Sequence, residues 1–498
     1  MKAATLICEN THNKQLCLNI FVHPKCSAQQ ARLGKNSDNE HIGWRKHLAE
    51  SKNMNKTIKN LTQSLLLAIP FMLTSCVNQG RLPAEHGIRN VTTIAESFGD
   101  GEKVSTVVVE YSTELDSSTV APECFTVQGR KVIAAHTNSR AEKTDVSAPG
   151  RFVLLRLAYE NKWEAAGANL FAGPRHDPKK DGGARQGKGN GPRFEDDGKP
   201  VDLSATVMQT ADIRAADGTV IPASPAAHVS TASTELVIQD FKKHYFTDSD
   251  TGMTLPYFVY LPEGYDPKRK YPMVFFIPDA SADTSIETAT LTQGNGATIW
   301  ATPEEQAKHP AIVVAVQYPY AVVKEYGAMT LDDHAWTKGL TATLNLLRHL
   351  IDTLAVDSNR VYGTGQSQGC MANIAISDRH PDIFAAQFLV AGQWDVTEMA
   401  AMKDKKLWII VCEGDAKAYP AMCQAMKLWS SLGAKAVKGD VFWNPKGSND
   451  EMAANVQSML EKDADIRMNV FAGGSHMYTW SIAYNIEGIR DWLFAQYK

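Results

Sequence analysis

The chain has 498 residues, of which 44% are hydrophobic, 21% charged and 8% aromatic. This composition excludes a disordered protein, and the length exceeds that of one typical domain. A formal net charge of -4 without long basic runs argues against nucleic-acid binding, which needs a concentrated cationic face. Because the eight cysteines show no paired C-x-x-C spacing, we expect no structural zinc, and we expect no other metal or cofactor.

The first predicted element is a bacterial lipoprotein signal at residues 54–76. A basic stretch after Met54 precedes a short apolar core, and small residues lead to Cys76. The apolar core is too short to span a bilayer as a mature helix, so the pattern favours export and lipid attachment at Cys76. We expect a cell-envelope protein that touches the membrane only through this lipid. Residues 1–53 would then precede the true start at Met54, and the alternative is a genuine N-terminal extension.

A β-sandwich domain is predicted at residues 88–221. Its short alternating strands are expected at residues 104–111, 124–127, 131–135, 152–157 and 203–208. Within it, residues 173–200 are rich in Gly, Lys, Arg and Asp and predict a long exposed loop. The alternative is that this loop folds over the neighbouring domain or touches a polymer. Residues 222–234, rich in Ala, Ser, Pro and Thr, predict a linker.

Strands and helices alternate in residues 235–498, which indicates an α/β domain with a mostly parallel sheet covered on both faces. The first strand is expected at residues 236–242. Further buried strands are predicted at residues 271–277, 311–316, 360–364, 406–412 and 466–471. Helical periodicity at residues 333–354 predicts a helix with a leucine face towards the core, and a second amphipathic helix is expected at residues 481–495.

A nucleophile elbow is predicted at residues 365–369, GQSQG, between an apolar strand and a helix-like stretch. A serine at such a tight turn needs small neighbours, because its backbone is strained and longer side chains would clash. Gly365 and Gly369 meet that need, which makes Ser367 the candidate nucleophile. The alternative is a glycine-rich turn whose serine caps the following helix.

The candidate base and acid follow in the order that this kind of sheet requires, acid first and histidine last. Asp415 comes directly after the strand at residues 406–412 and is the predicted acid. His476 follows the last strand and is the predicted base. Asp395, one strand earlier, and Glu413 are alternatives for the acid.

Two backbone amides are expected to form an oxyanion hole. One is the amide of Gln368, just after the nucleophile, and the other is the amide of Asp279 or Ala280, of which Ala280 is our choice. Aromatic residues near the same sheet edge, Trp394 and Trp480 above all, are expected to line the substrate pocket. The alternative for each tryptophan is ordinary packing.

Besides the GQSQG pentapeptide, the sequence contains four further recognisable motifs: residues 260–265 (YLPEGY), 356–367 (VDSNRVYGTGQS), 381–386 (PDIFAA) and 473–476 (GGSH). With these motifs the chain resembles secreted bacterial α/β-hydrolase esterases with an N-terminal immunoglobulin-like domain, often labelled predicted peptidases. The resemblance implies the roles already assigned to Ser367, Asp415 and His476. The chain departs from its relatives at Pro278-Asp279, where they tend to have His-Gly, and directly after Ser367, where many have Met-Gly-Gly and this chain has Gln368-Gly369-Cys370.

Three functions compete at this stage. The first is a serine carboxylesterase for small esters or esterified polysaccharides, such as acyl or feruloyl groups on plant polymers. The second is a serine peptidase of the same fold, although no propeller-like repeat array is visible in the sequence. The third is a non-catalytic surface lipoprotein that binds carbohydrate or a partner. We expect no nucleic-acid partner, and the sequence is compatible with a homo-oligomer.

Overall fold

A computed structural model describes residues 87–165, 199–282, 284–319, 330 and 333–498. The predicted signal with Cys76, residues 1–53 and nearly all of the predicted loop at 173–200 lie outside these residues, so those expectations stay predictions. Within the described ranges, no helix combines the length and the apolar character needed to cross a membrane.

Residues 88–235 form β-sheets around one apolar core, and two of their strands lie in or overlap the range 222–234 that the sequence predicted as a linker. Their strands are β1 (Ile88–Phe98), β2 (Gly101–Leu115), β3 (Phe125–Val127), β4 (Val132–Asn138), β5 (Gly150–Leu157), β6 (Thr206–Gln209), β7 (Ile213–Arg214), β8 (Val220–Ile221), β9 (Ser224–Val229) and β10 (Ser233–Glu235). A five-stranded sheet has the order β10-β1-β2-β5-β4, a three-stranded sheet the order β3-β6-β9, and β7 pairs with β8. Alternate residues of β2, Val107 and Val109, enter the core between the sheets, as the period of a strand requires.

The remaining strands form one sheet. They are β11 (Lys242–Thr247), β12 (Thr254–Tyr260), β13 (Tyr271–Ile277), β14 (Ile312–Val316), β15 (Val356–Gln366), β16 (Ala386–Val390), β17 (Leu407–Cys412), β18 (Ala436–Lys438) and β19 (Ile466–Phe471). Their order is β11-β12-β14-β13-β15-β16-β17-β19-β18. β12 runs antiparallel to β11 and β14, and the other neighbouring pairs are parallel.

Helices cover both faces of this sheet, which places one apolar core on each face. The α-helices are, in chain order, α1 (Lys162–Ala165), α2 (Ala289–Thr292), α3 (Pro303–Lys308), α4 (Lys338–Thr353), α5 (Gln368–Arg379), α6 (Ala418–Ser431), α7 (Asn449–Leu460), α8 (His476–Ala483) and α9 (Glu487–Phe494). Short 3-10 helices occur at Ser117–Thr119, Pro122–Cys124, Ile238–Asp240, Thr298–Ala301 and Glu398–Met402. The predicted fold class, a β-sandwich followed by an α/β-hydrolase sheet, is confirmed.

The expected first strand of the α/β sheet, residues 236–242, is wrong. Ile238–Asp240 is a 3-10 helix, and Val237 before it has a φ of 68°, which breaks an extended chain. The first strand is instead β11, which pairs only with β12 and exposes much of its surface. An edge strand needs few apolar residues, so its sequence does not stand out. The expected helix at residues 481–495 is likewise divided into α8 and α9.

The turn between β1 and β2 packs closely against α8. A Cβ atom on Gly99 would lie 2.1 Å from the carbonyl oxygen of Ser481. Asn161 Nδ2 donates to Ser481 Oγ at 2.9 Å, and Ser97 Oγ donates to the carbonyl of Gly294 at 2.9 Å. The β-sandwich therefore contacts the helix that begins with the candidate base.

Candidate active site

Ser367 lies at the sharp turn between β15 and α5. Its φ of 53° and ψ of -120° fall in a region that costs a non-glycine residue about 1–3 kcal/mol. A Cβ on Gly365 would lie 2.5 Å from the carbonyl oxygen of Ile277, and one on Gly369 would lie 1.8 Å from the same atom. Both glycines are therefore required by the close approach of β13, and the half-buried Ser367 stays open to a ligand.

His476 is the first residue of α8 and lies against the serine. Its Nε2 atom is 2.8 Å from Ser367 Oγ, and its ring is buried. The preceding Ser475 caps the helix by accepting the amide of Tyr478 at 3.3 Å. Gly474 has a φ of 69°, and a Cβ there would lie 2.7 Å from Cys412 Sγ. This glycine of the GGSH motif is therefore required by the tight turn that leads into this helix.

Asp415 completes the hydrogen-bonded row. Its Oδ2 atom is 2.5 Å from His476 Nδ1, while Oδ1 accepts the amides of Lys417 at 3.1 Å and Ala418 at 2.9 Å. Burial acts to raise the pKa of Asp415, but the hydrogen bond and electrostatic interaction with His476 and the hydrogen bonds from the two amides together hold this pKa below its ordinary value. The carboxylate is thus kept ionised and aimed at the imidazole.

The two alternative acids serve other contacts. Asp395 Oδ1 accepts the amide and the hydroxyl of Thr397, at 2.9 and 2.7 Å. Glu413 Oε2 accepts the amide of Gly473 at 3.0 Å. Asp415 is the carboxylate that the structure brings to His476.

Both expected oxyanion donors lie on backbone beside the serine. Gln368 is the first residue of α5, so its amide has no intrahelical acceptor. In the described part of the chain, the amide of Ala280 donates to no backbone acceptor. The loop with Ala280 follows β13 directly, and a Cβ on Gly369 would lie 2.6 Å from the carbonyl oxygen of Pro278. The oxyanion role of both amides stays a prediction.

The two candidate pocket tryptophans are buried, with 3% of Trp394 and 1% of Trp480 exposed. Trp394 Nε1 donates to Glu398 Oε2 at 2.9 Å, and its ring lies edge-on to His334. Trp480 lies edge-on to His476. Their contact with a substrate stays a prediction, and for Trp480 the structure adds a second relationship, contact with the candidate base.

Among the described residues, one group has the spacing of metal ligands: Glu305, His309 and Asp491, whose donor atoms lie within 4.8 Å of one another. Glu305 pairs with Arg490 at 2.7 Å, and His309 Nε2 is 2.9 Å from Asp491 Oδ1. These atoms already join α3 to α9, so we interpret the group as packing contacts.

Two buried side chains beside the elbow, those of Gln366 and Asp279, received no role of their own from the sequence. Gln366, the residue before the serine, donates from Nε2 to Asp279 Oδ2 at 3.0 Å. Asp279 belongs to the loop of Ala280. The Asp-x-Ser spacing of Asp279 and Ser281, which is typical of a side-chain-capped turn, is the one signal that could have drawn attention to it.

The described geometry agrees with two family models. Residues 90–222 match the esterase Ig-like N-terminal domain, and residues 332–495 match the prolyl oligopeptidase family. No curated protein matches the chain.

One solved structure, a thermostable esterase, is 23% identical with a TM-score of 0.62, and the match covers 82% of this chain and 100% of that chain. This similarity shows a shared fold. A feruloyl esterase module from Clostridium thermocellum is 13% identical with a TM-score of 0.34, and the match covers 50% of this chain and 86% of that chain. Oligopeptidase B from Leishmania major is 10% identical with a TM-score of 0.35, and the match covers 58% of this chain and 42% of that chain. Similarities as weak as these last two carry no argument. The chain is a serine hydrolase in which an immunoglobulin-like domain that matches the esterase model precedes an α/β-hydrolase domain that matches the prolyl oligopeptidase model.

Proposed function

We propose that the protein is a carboxylesterase that works through an acyl-enzyme. The observation that carries the proposal is the continuous row from Ser367 through His476 to Asp415, with contacts of 2.8 and 2.5 Å. The match of residues 90–222 to an esterase-associated domain favours esters over peptides.

In the first half of the reaction, Ser367 Oγ attacks the ester carbonyl while His476 Nε2 takes the serine proton. The carbonyl oxygen becomes an oxyanion that accepts hydrogen bonds from the backbone amides of Gln368 and Ala280. Two such donors stabilise the transition state by an amount on the order of several kcal/mol. The tetrahedral intermediate collapses, the alcohol leaves with the proton from His476, and the acyl group stays on Ser367.

In the second half, His476 takes a proton from water as the water oxygen attacks the acyl carbonyl. Collapse of this second intermediate returns the proton to Ser367 and releases the carboxylic acid. Asp415 stays ionised throughout, holds the imidazole through Nδ1, and stabilises the imidazolium that forms in each half.

The natural substrate that we propose is an acyl or feruloyl ester on a polysaccharide. The support is the predicted export signal, because an exported protein would meet esterified polymers outside the cytoplasm. Labelling of the expressed protein with a radioactive fatty acid tests export and anchoring. Loss of label in Cys76→Ser is expected, whereas an unlabelled wild-type protein would contradict the anchor.

The test of the activity is release of p-nitrophenol from short and medium acyl esters by the wild type and by Ser367→Ala. We expect turnover by the wild type and a loss of about 10⁴-fold or more in the variant. Ferulate esters and peptide anilides, run in parallel, separate the substrate classes. The prolyl oligopeptidase family match makes the peptidase the second candidate, so anilide turnover above ester turnover would replace our proposal.

A further inference from the structure

Asp279 is a buried carboxylate at the point where β13 enters the oxyanion loop, with 2% of the residue exposed. Its Oδ1 atom accepts the amide of Ser281 at 2.9 Å and also the Ser281 hydroxyl. Its Oδ2 atom accepts Nε2 of Gln366 at 3.0 Å. One carboxylate thus joins the oxyanion loop to the residue that precedes Ser367.

The charge of this carboxylate is balanced by hydrogen-bond donors. No Lys or Arg of the described ranges forms an ion pair with Asp279. A buried charge without a cation is costly unless its hydrogen bonds are well formed. Core stability alone would be served better by an apolar residue, so the position of Asp279 points to a role beside the elbow.

The Gln366 amide depends on this contact for its orientation. Its Oε1 atom is buried and accepts no hydrogen bond from the described residues, so Nε2 is the end that is held. On the other side of the loop, Gln293 Nε2 donates to the carbonyl of Ser281 at 3.0 Å. Tyr318 hydroxyl donates to the carbonyl of Pro278 at 2.8 Å. The loop is held at both ends, and Asp279 supplies the contact to the nucleophile strand.

We propose that Asp279 is a positioning residue that sets the separation between the oxyanion loop and the serine turn. The inference rests on the proposed acyl transfer and adds a residue to it. An oxyanion donor must reach the place where charge develops to within a few tenths of an ångström, so a loop freed from Gln366 would weaken the Ala280 donor in the transition state. Substrate binding before the reaction does not use this donor fully, so kcat is affected more than KM.

The variants are Asp279→Ala, Asp279→Asn and Gln366→Leu. Alanine removes both sets of contacts, and leucine cuts the same connection from the other side. Asparagine can keep the turn through Oδ1, and its Nδ2 can donate to Gln366 Oε1 once the glutamine amide turns over. The matched control is Asp116→Ala, because Asp116 Oδ1 accepts the amide and hydroxyl of Ser118 at 3.0 and 2.7 Å in the same Asp-x-Ser turn, far along the chain in the β-sandwich.

With p-nitrophenyl esters we expect Asp279→Ala to lose about 100-fold in kcat, with KM within about 3-fold of wild type. Asp279→Asn should recover part of kcat, and Asp116→Ala should match the wild type. The inhibition constant of a trifluoromethyl ketone, which forms an oxyanion adduct with Ser367, should weaken in step with kcat/KM. Affinity for the product acid should not change. The variant Asp279→Ala/Gln366→Leu should be no slower than the slower single variant, because both remove one connection.

A burst titration counts active sites, and thermal unfolding reports folding, so a merely structural loss is separable. Wild-type kcat per active site in Asp279→Ala would overturn the inference, as would a loss confined to KM. If the alanine variant does not fold, Asp279→Asn carries the test, and wild-type kcat there, together with wild-type kcat in Gln366→Leu, would overturn it. If the wild type cleaves anilides in place of esters, only the proposed function is contradicted. The kcat values of the wild type and the variants are then compared with anilides as substrates. A wild type inert to both overturns the two proposals together.

Discussion

Trp480 lies edge-on against the imidazole of His476, with ring centroids 5.0 Å apart and an interplanar angle of 82°. The indole Nε1 is buried and has no hydrogen-bond partner among the described residues. The indole therefore contacts the histidine ring by van der Waals packing and supports its position.

This arrangement predicts different results for two substitutions. Trp480→Phe keeps an aromatic edge and loses no hydrogen bond, so the free energy of unfolding should fall by about 1–2 kcal/mol and kcat by less than about 5-fold. Trp480→Ala leaves a cavity behind His476 and should cost about 3–5 kcal/mol, with a larger loss of kcat. Denaturant unfolding and ester kinetics measure both effects. A lower KM in Trp480→Ala with unchanged kcat would show instead that the indole restricts the substrate pocket.

Asp415→Asn should lower kcat by about 10⁴-fold, because a neutral amide cannot hold the imidazole tautomer or stabilise the imidazolium. Asp395→Asn is the control, since its carboxylate contacts Thr397 in an equivalent local turn. Equal losses in both variants would contradict the assignment of Asp415 as the acid.

The same residue predicts a pH dependence of stability. The folded pKa of Asp415 lies below its ordinary value of 3.8, so the ionised group stabilises the fold above that ordinary value. This contribution is lost as the pH falls through the folded pKa. The difference in unfolding free energy between wild type and Asp415→Asn should be constant near neutrality and shrink below about pH 4. A difference that grows in acid would contradict the depressed pKa.

Gly369→Ala should destabilise the hydrolase by about 3 kcal/mol or more and abolish activity, because the new methyl group would meet the carbonyl of Ile277. Gly87→Ala is the control, since a Cβ there has no neighbour within 4 Å. Thermal unfolding and active-site titration check this prediction. A stable, active Gly369→Ala would show that β13 can move away from the elbow.

Cysteine reactivity provides a test that needs no substitution. Cys124, Cys370, Cys412 and Cys423 are free thiols in the structure. Burial raises the pKa of Cys412 to about 12 and that of Cys370 further, while Cys423 is only partly buried. Among these four cysteines, brief alkylation of the native protein should therefore modify Cys423 first, as read by peptide mass spectrometry. Early labelling of Cys370 would indicate that the elbow region opens.

The elbow was predictable because its signal is local. The backbone strain at Ser367 and the contact of Gly369 with β13 require small residues at fixed spacing, and those residues are visible in the sequence. Asp415 and His476 were found because parallel strands bring their carboxyl ends to one edge.

The features that were missed depend on distant partners. Residues 236–242 look like a buried strand, yet Ile238 is buried in a 3-10 helix that precedes a polar edge strand. The contact of Trp480 with His476 was not predicted, because it depends on how α8 places the two rings. The contact of Asp279 with Gln366 joins residues that are 87 positions apart, and no local pattern encodes such a pairing.

The contact between Gly99 and Ser481 has a consequence for how such a chain can evolve or be recombined. At this point the two backbones meet without space for a methyl group. A different N-terminal domain could replace the β-sandwich only if its turn against α8 also had a residue without a side chain at this position. The surface of the hydrolase domain is therefore adapted to this β-sandwich, and we expect the two domains to be inherited together.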